Sequence, residues 1–145
     1  MSSGIVIGYD GSECAKEALR VALEVGKAYG DRVVIVYGFE INPLGGGEIH
    51  EYRSAVREVA SERLKEAIAI ASKSGSDGID VEAVIVEHAP APGLAELARE
   101  RDARVIVVGT RGESPFRGAL LGSTPHKLLH LADRPVLVVP GPGGG

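Results

Sequence analysis

The feature that most limits how this chain can fold is the run Val105 to Val108, four consecutive β-branched apolar residues closed by Gly109. No polar residue alternates with them, so both faces of such a strand must be covered. That demands a parallel sheet with helices on each side. The rest of the chain supplies the parts, because apolar runs recur at Ile5 to Ile7, Val33 to Val36, Val81 to Val86 and Val136 to Val139, with helical patterns between them. Strands alternating with helices predict one doubly wound α/β domain with a five-stranded parallel sheet.

The first helix is announced by Asp10, Gly11 and Ser12, carries Ala15, Ala18, Leu19, Ala22 and Leu23 on one face, and stops at Gly30. A second, from about Glu48 to Ser74, places Val56, Ala60, Leu64, Ala67, Ile68 and Ala71 at helical spacing before Gly75 to Gly78 break it. A third, shorter one comes after Pro90 and Pro92, with Leu94, Leu97 and Ala98 as its apolar positions. The fourth is expected to start with Ser123 as cap and Pro125 in the first turn, followed by Leu128, Leu129 and Ala132. Gly38 to Gly47 is the one long connection, read as a surface loop or a ligand lid, and Gly141 to Gly145 read as a flexible tail.

Composition narrows the functions open to such a domain. The chain has 145 residues, 44% of them apolar, and a formal net charge of −4 with no basic run, so nonspecific nucleic-acid or membrane-surface binding has no electrostatic support. A single cysteine, Cys14, excludes an internal disulfide framework and fits a reducing compartment. The apolar run at Ile5 is too short for a signal peptide, and no stretch approaches membrane-spanning length. A cytoplasmic location is therefore expected.

The chemistry-bearing stretch begins where the Val105 strand empties into a glycine loop. It reads Gly109, two residues, Gly112, nine residues, then Gly122 and Ser123 at a helix start. Glycines let a ligand approach backbone, and first-turn N–H groups present partial positive charge to an anion. Ser123 and Thr124 are thus candidate phosphate contacts. Arg117 lies in the intervening loop, where it could pair with phosphate oxygens or remain solvated, while Arg111 is expected to be solvated. At the end of the first strand, Asp10 could cap the helix together with Ser12, bond a ribose hydroxyl, or help hold magnesium beside phosphates.

The glycine spacing resembles the ATP-binding signature of the universal stress protein family, and all four anchors, Gly109, Gly112, Gly122 and Ser123, are present. I-V-I-G-Y-D-G-S at Ile5 to Ser12 is similar to the family's opening strand, and R-P-V-L-V-V-P at Arg134 to Pro140 to its closing one. The resemblance implies a Rossmann-like sheet of order 3-2-1-4-5. The strand order would then reverse between the strands followed by Y-D-G-S and G-T-R-G, so that the two glycine turns face one crevice. It also implies an adenine nucleotide, ATP with or without Mg, whose base is gripped by backbone at Tyr37 and Gly38, a stress-response or signalling role, and a homodimer through Val136 to Val139. Two residues depart from the family pattern: His88, where glycine is common, and Arg104, where aspartate is. Neither belongs to the nucleotide signature.

Other constellations point less far. His126 and His130 share a helical face, but Lys127 stands where a zinc protease has glutamate and no third ligand is evident. Cys14 is read as a small core residue rather than a reactive thiol. There is no P-loop and no nucleophile elbow, and no general base can be identified, so nucleotide binding is expected rather than catalysis; a slow ATPase or phosphotransferase is the alternative.

Overall fold

The computed structural model describes residues 4–41, 49–74, 78–111 and 121–142. Its elements run β1 (Gly4–Gly8), α1 (Glu13–Tyr29), β2 (Arg32–Gly38), α2 (Ile49–Lys73), β3 (Val81–Val86), α3 (Pro90–Glu100), β4 (Val105–Gly109), α4 (Ser123–Leu131) and β5 (Val136–Val139). All neighbouring strands are parallel, and the sheet order is β3-β2-β1-β4-β5. This is the five-stranded doubly wound sheet expected from the apolar runs, in the order the resemblance implied.

Strand parity explains why those runs are uninterrupted. Ile5, Ile7, Val33, Ile35 and Val107 face α1 and α2, meeting Ala18, Leu19 and Ala22 from one helix and Leu64, Ala67 and Ala71 from the other. Val6, Val34, Val36, Ile106 and Val108 face the opposite layer, where Leu94, Ala98 and Leu128 close over them. Both faces of every central strand are buried, so no position is left for a polar residue. Two residues assigned to apolar helix faces fall outside this core. Ile68 is 38% exposed because it lies on the flank of α2 above the sheet edge, and Leu129 is 61% exposed on the outer side of α4.

α1 has the caps its sequence announces: the Ser12 hydroxyl accepts from the Ala15 N–H at 3.1 Å, and Gly30 ends the helix in the left-handed conformation with φ 70°. The connection after β2 begins one residue later than the sequence suggested, since Gly38 belongs to the strand, and Phe39 is buried with its N–H bonded to the Val86 carbonyl. Positions 42–48 of that connection lie outside the described residues.

The amino ends of the strands are tied by ion pairs. Arg104 places Nε 2.6 Å from a carboxylate oxygen of Asp31, whose side chain is 1% exposed, and its guanidinium stacks over the Tyr29 ring at 4.0 Å. The departure from the family pattern at position 104 therefore has a local cause: it neutralises a buried carboxylate. Nearby, Arg101 grips Glu82 with two bonds of 3.0 and 2.7 Å, and Arg32 reaches Asp80 at 2.6 Å and Glu82 at 3.2 Å.

The hydrogen bonds from Arg101 hold the Glu82 carboxyl below its ordinary value of 4.5, against the opposing effect of burial. Because the folded value is depressed, the contribution to stability is complete above the ordinary glutamate range and is lost as the pH falls through the lowered one. Glu82→Gln should therefore cost about 0.5–1 kcal/mol at neutral pH, as befits a partly exposed pair. The gap to the parent should close as urea denaturation is repeated at progressively lower pH below 4.5. A gap that persists unchanged in acid would mean that the charge of Glu82 is not what stabilises.

Candidate functional site

The order β3-β2-β1-β4-β5 puts its reversal between β1 and β4. In such sheets ligands bind outside the carboxyl ends of the strands at that point. Each wall of the crevice can be built from its residues.

On the β1 side the strand runs on through Tyr9, Asp10 and Gly11. Tyr9 is anchored by its N–H to the Val36 carbonyl at 2.9 Å, and its buried hydroxyl donates to Glu66 on α2 at 2.6 Å. Burial first, and then the bond to the Glu66 carboxylate, push the Tyr9 phenol well above its usual value of 10.0, so it is a donor at any physiological pH. Gly11 turns the chain with φ +88°, and the space its Cβ would take is filled by Arg63, whose Cδ lies 2.8 Å from it. The Asp10 carboxylate accepts from the Ser12 N–H at 2.9 Å, closing the turn, while Ser12 itself caps α1. The capping role considered for Asp10 thus belongs to Ser12. Asp10 shapes the turn that faces the crevice.

On the β4 side the glycines serve packing. A Cβ on Gly109 would lie 2.7 Å from Cys14 Cβ and 2.9 Å from its carbonyl carbon, so glycine is what lets the first turn of α1 rest on the end of β4. Cys14 is buried there, with Sγ 3.7 Å from Thr110 Oγ1. Gly141, at the start of the glycine tail, is buried against the same sulfur, its Cβ position being 2.7 Å away; 143–145 lie outside the described residues.

Gly122, half-buried in an extended conformation, donates its N–H to the Thr110 carbonyl at 2.7 Å, and a Cβ on it would press on that carbonyl at 3.0 Å and on Arg111 Cα at 3.1 Å. This contact draws the start of α4 onto the end of β4. Gly122, not Ser123, is the N-cap, without a side-chain capping bond; Ser123 is the first helical residue and is exposed. The reason is steric, since the cap lies so close to Thr110 and Arg111 that a side chain would crowd them. Proline at position 125 has no N–H, and the His126 N–H bonds to the Gly122 carbonyl. The Ser123 and Thr124 N–H groups, in the first turn of α4, have no intrahelical acceptor.

The structure thus places Asp10 after β1 and Gly109 at the end of β4, packs Cys14 against Gly109, and ties Gly122, which Ser123 and Thr124 follow, to Thr110 just beyond β4. Gly112 and Arg117 lie outside the described residues. Arg111, expected to be solvated, is half-buried. Tyr37 and Gly38 end β2, on the other side of β1 from β4. A Cβ on Gly38 would press on Pro90 Cα at 3.1 Å and on the His88 carbonyl at 3.2 Å, so the start of α3 disfavours a side chain there. Sequence reasoning missed Arg63, Glu66 and Gly141 as parts of this region, and only the tight glycine turn at Gly11 hinted that something packs over it.

His126 and His130 are exposed, with ring centroids 5.6 Å apart. Among the described residues no group of three or more His, Cys, Asp or Glu is placed to hold a metal, and no helix is long and apolar enough to cross a membrane. His88, the second departure from the family pattern, is exposed 4.0 Å from Glu96.

A parallel sheet of order β3-β2-β1-β4-β5 with helices on both faces defines a doubly wound α/β domain whose switch point lies between β1 and β4. The sequence matches the Universal stress protein family over residues 1–140, and the chain belongs to that family. It is 33% identical over 141 residues to a universal stress protein of Thermus aquaticus, covering 96% of this chain and 99% of that one. Among solved structures it is similar to a universal stress protein in complex with cAMP (TM-score 0.72, 28% identity, 97% and 98% of the two chains). It is also similar to the universal stress protein from Archaeoglobus fulgidus in complex with dAMP (TM-score 0.69, 25% identity, 94% and 97%).

Gly109→Ala tests the packing role assigned to the glycine. The added Cβ meets backbone as well as side-chain atoms of Cys14, so the variant should lose about 1–3 kcal/mol of stability without any nucleotide present. An unchanged midpoint in urea would show that α1 can retreat, and would return Gly109 to a purely ligand-facing role.

Proposed function

We propose that this protein binds ATP at the β1–β4 crevice and acts as a nucleotide-dependent stress-response or signalling module of the cytoplasm. The observation that carries the reading is the 2.7 Å bond from Gly122 to Thr110, which delivers the start of α4 to the crevice with two N–H groups in hand. The Ser123 and Thr124 N–H groups and the Ser123 hydroxyl would hold phosphate oxygens, with Gly112 and Arg117 completing the cradle. Asp10, at the facing turn, would take a ribose hydroxyl or stand beside a magnesium ion that offsets phosphate charge. Backbone at Tyr37 and Gly38 would receive the base. The cAMP and dAMP complexes of similar proteins support an adenine nucleotide. The sequence carries no identifiable general-base motif, which favours occupancy over turnover.

Ser123→Pro isolates the phosphate donors. Proline is favoured at the first helical position, and Gly122 before it is already extended (φ −63°, ψ 167°), so the helix is kept while one N–H is removed. Calorimetric titration should show ATP binding weakened about tenfold, the equivalent of one hydrogen bond to a charged group, and adenosine unaffected. Equal affinity of parent and variant for ATP would remove α4 from the site. Release of product in a single-turnover incubation with magnesium ATP, well above the buffer rate, would turn the reading toward a slow ATPase or phosphotransferase.

We also propose a homodimer through β5. This strand is an edge, and Leu137 is 38% exposed on it. The Pro135 and Val139 carbonyls bond into β4, so by the two-residue period the backbone groups of Val136 and Val138 face outward. Light scattering should find a dimer for the parent and a monomer for Leu137→Lys, which charges an exposed position without touching buried Val139. A monomeric parent at micromolar concentration, or a dimeric folded variant, rejects this interface.

A further inference from the structure

The opposite edge of the sheet is built differently. β3 pairs only with β2 among the described residues, runs for six residues and contains neither proline nor lysine, the residues that usually protect an edge. The Asp80 carbonyl accepts from Val33 and the Val86 carbonyl from Phe39, so the backbone of the even-numbered residues points into the sheet. The N–H and C=O groups of Val81, Ala83 and Ile85 therefore point outward.

Alongside this edge runs a groove of about 660 Å³ between β3 and α2. Leu64 and Ile68 line its helix side, and Ala83 leaves room at its centre. Along its rim α2 presents Arg57, Ser61 and Lys65 at four-residue spacing. The two cations sit eight residues apart, about 12 Å along a helix. In an extended chain, residues i and i+4 share a face about 13 Å apart, with residue i+2 between them.

We propose that the β3 edge and the Arg57–Ser61–Lys65 ridge form a docking surface for an extended acidic segment of a partner protein, in the pattern acid, any, apolar, any, acid. The segment adds a strand to β3 by bonding the outward groups of Val81, Ala83 and Ile85. Its central apolar side chain enters the notch above Ala83 against Leu64 and Ile68, and its two carboxylates meet Arg57 and Lys65. Those cations have present partners, Glu87 at 3.9 Å and Glu62 at 3.8 Å, but both are exposed pairs that cost little to exchange. A second copy of this chain fits less well. Two β3 edges meeting about a two-fold axis would offer each ridge only Val81, Ala83 and Ile85 on that face, with no carboxylate for Arg57 or Lys65.

The test is fluorescence anisotropy with a labelled Thr-Asp-Thr-Val-Thr-Glu-Thr peptide and a counterpart carrying lysine in place of both acids. The parent should bind the acidic peptide at least about tenfold more tightly than the basic one. Ala83→Pro removes an outward N–H and no bond to β2, so it should weaken the acidic peptide by about tenfold or more. Arg57→Glu with Lys65→Glu alters only exposed side chains and should reverse the preference. Equal binding of the two peptides by the parent, absence of binding, or an acidic preference that survives the double charge reversal overturns the proposal. So does a parent dimer that Ala83→Pro dissociates, which would assign the edge to self-pairing.

Discussion

The rest of the molecule depends on how closely α1 lies against the sheet. The approach is made possible by two glycines, one on each partner. At the helix's carboxyl end the glycine is on the helix: a Cβ on Gly26 would lie 2.7 Å from Val33 Cγ2. At its amino end the glycine is on the strand, where Gly109 receives Cys14. An α-helix interior ordinarily gains about 1 kcal/mol from alanine over glycine, so retaining glycine at position 26 means that close packing outweighs helix propensity there. With both ends pinned, the first turn of α1 has no freedom to lift away from β4. The crevice between β1 and β4 thereby acquires a fixed width.

This changes what the glycine signature signifies. A row of glycines before a helix start invites the thought that each one makes room for a ligand. Gly109 instead makes room for Cys14, Gly38 for Pro90, and Gly122 for Thr110 and Arg111. What such packing leaves over is the pair of N–H groups at Ser123 and Thr124, set in the first turn of α4 because the strand end and the helix start have been drawn together. Preorganisation here is a consequence of core packing, and a variant that relaxes the packing would alter the site without touching a ligand.

That relation also decides what could be read from the sequence. The β-branched runs fixed strand identity because burial on both faces leaves a strong local pattern, and β3 and β5 fall at Val81–Val86 and Val136–Val139 as expected. The helix cap was misplaced by one residue because serine is the better cap in isolation, and the crowding that disfavours a side chain at 122 comes from Thr110 and Arg111, which only the fold brings near. Leu129 and Ile68 read as core because helical spacing gives a face but not its width, and these two lie past the edge of what the sheet covers. Arg63 and Glu66, fifty residues and more from Gly11 and Tyr9, had no local signal at all.

The two rims of the sheet divide the work. The amino rim carries charge already spent on itself: Arg104 with Asp31, Arg101 and Arg32 with Glu82, Arg32 with Asp80, and Arg134 with Asp133 at 2.9 Å. Each arginine there meets a carboxylate, so that rim offers no uncompensated field for a ligand, and its pairs hold the loops entering β2, β3, β4 and β5. The carboxyl rim, beside the pairs of Arg53 and Arg57 with Glu87 and of Arg63 with Glu66, carries backbone features: the Asp10–Ser12 turn, the Thr110–Gly122 bond and the first turn of α4. Partial charges on fixed N–H groups attract an anion without a counter-ion that must first be displaced. A chain of net charge −4 can in this way carry local positive potential at a helix start while the arginines of its amino rim are spent on ion pairs.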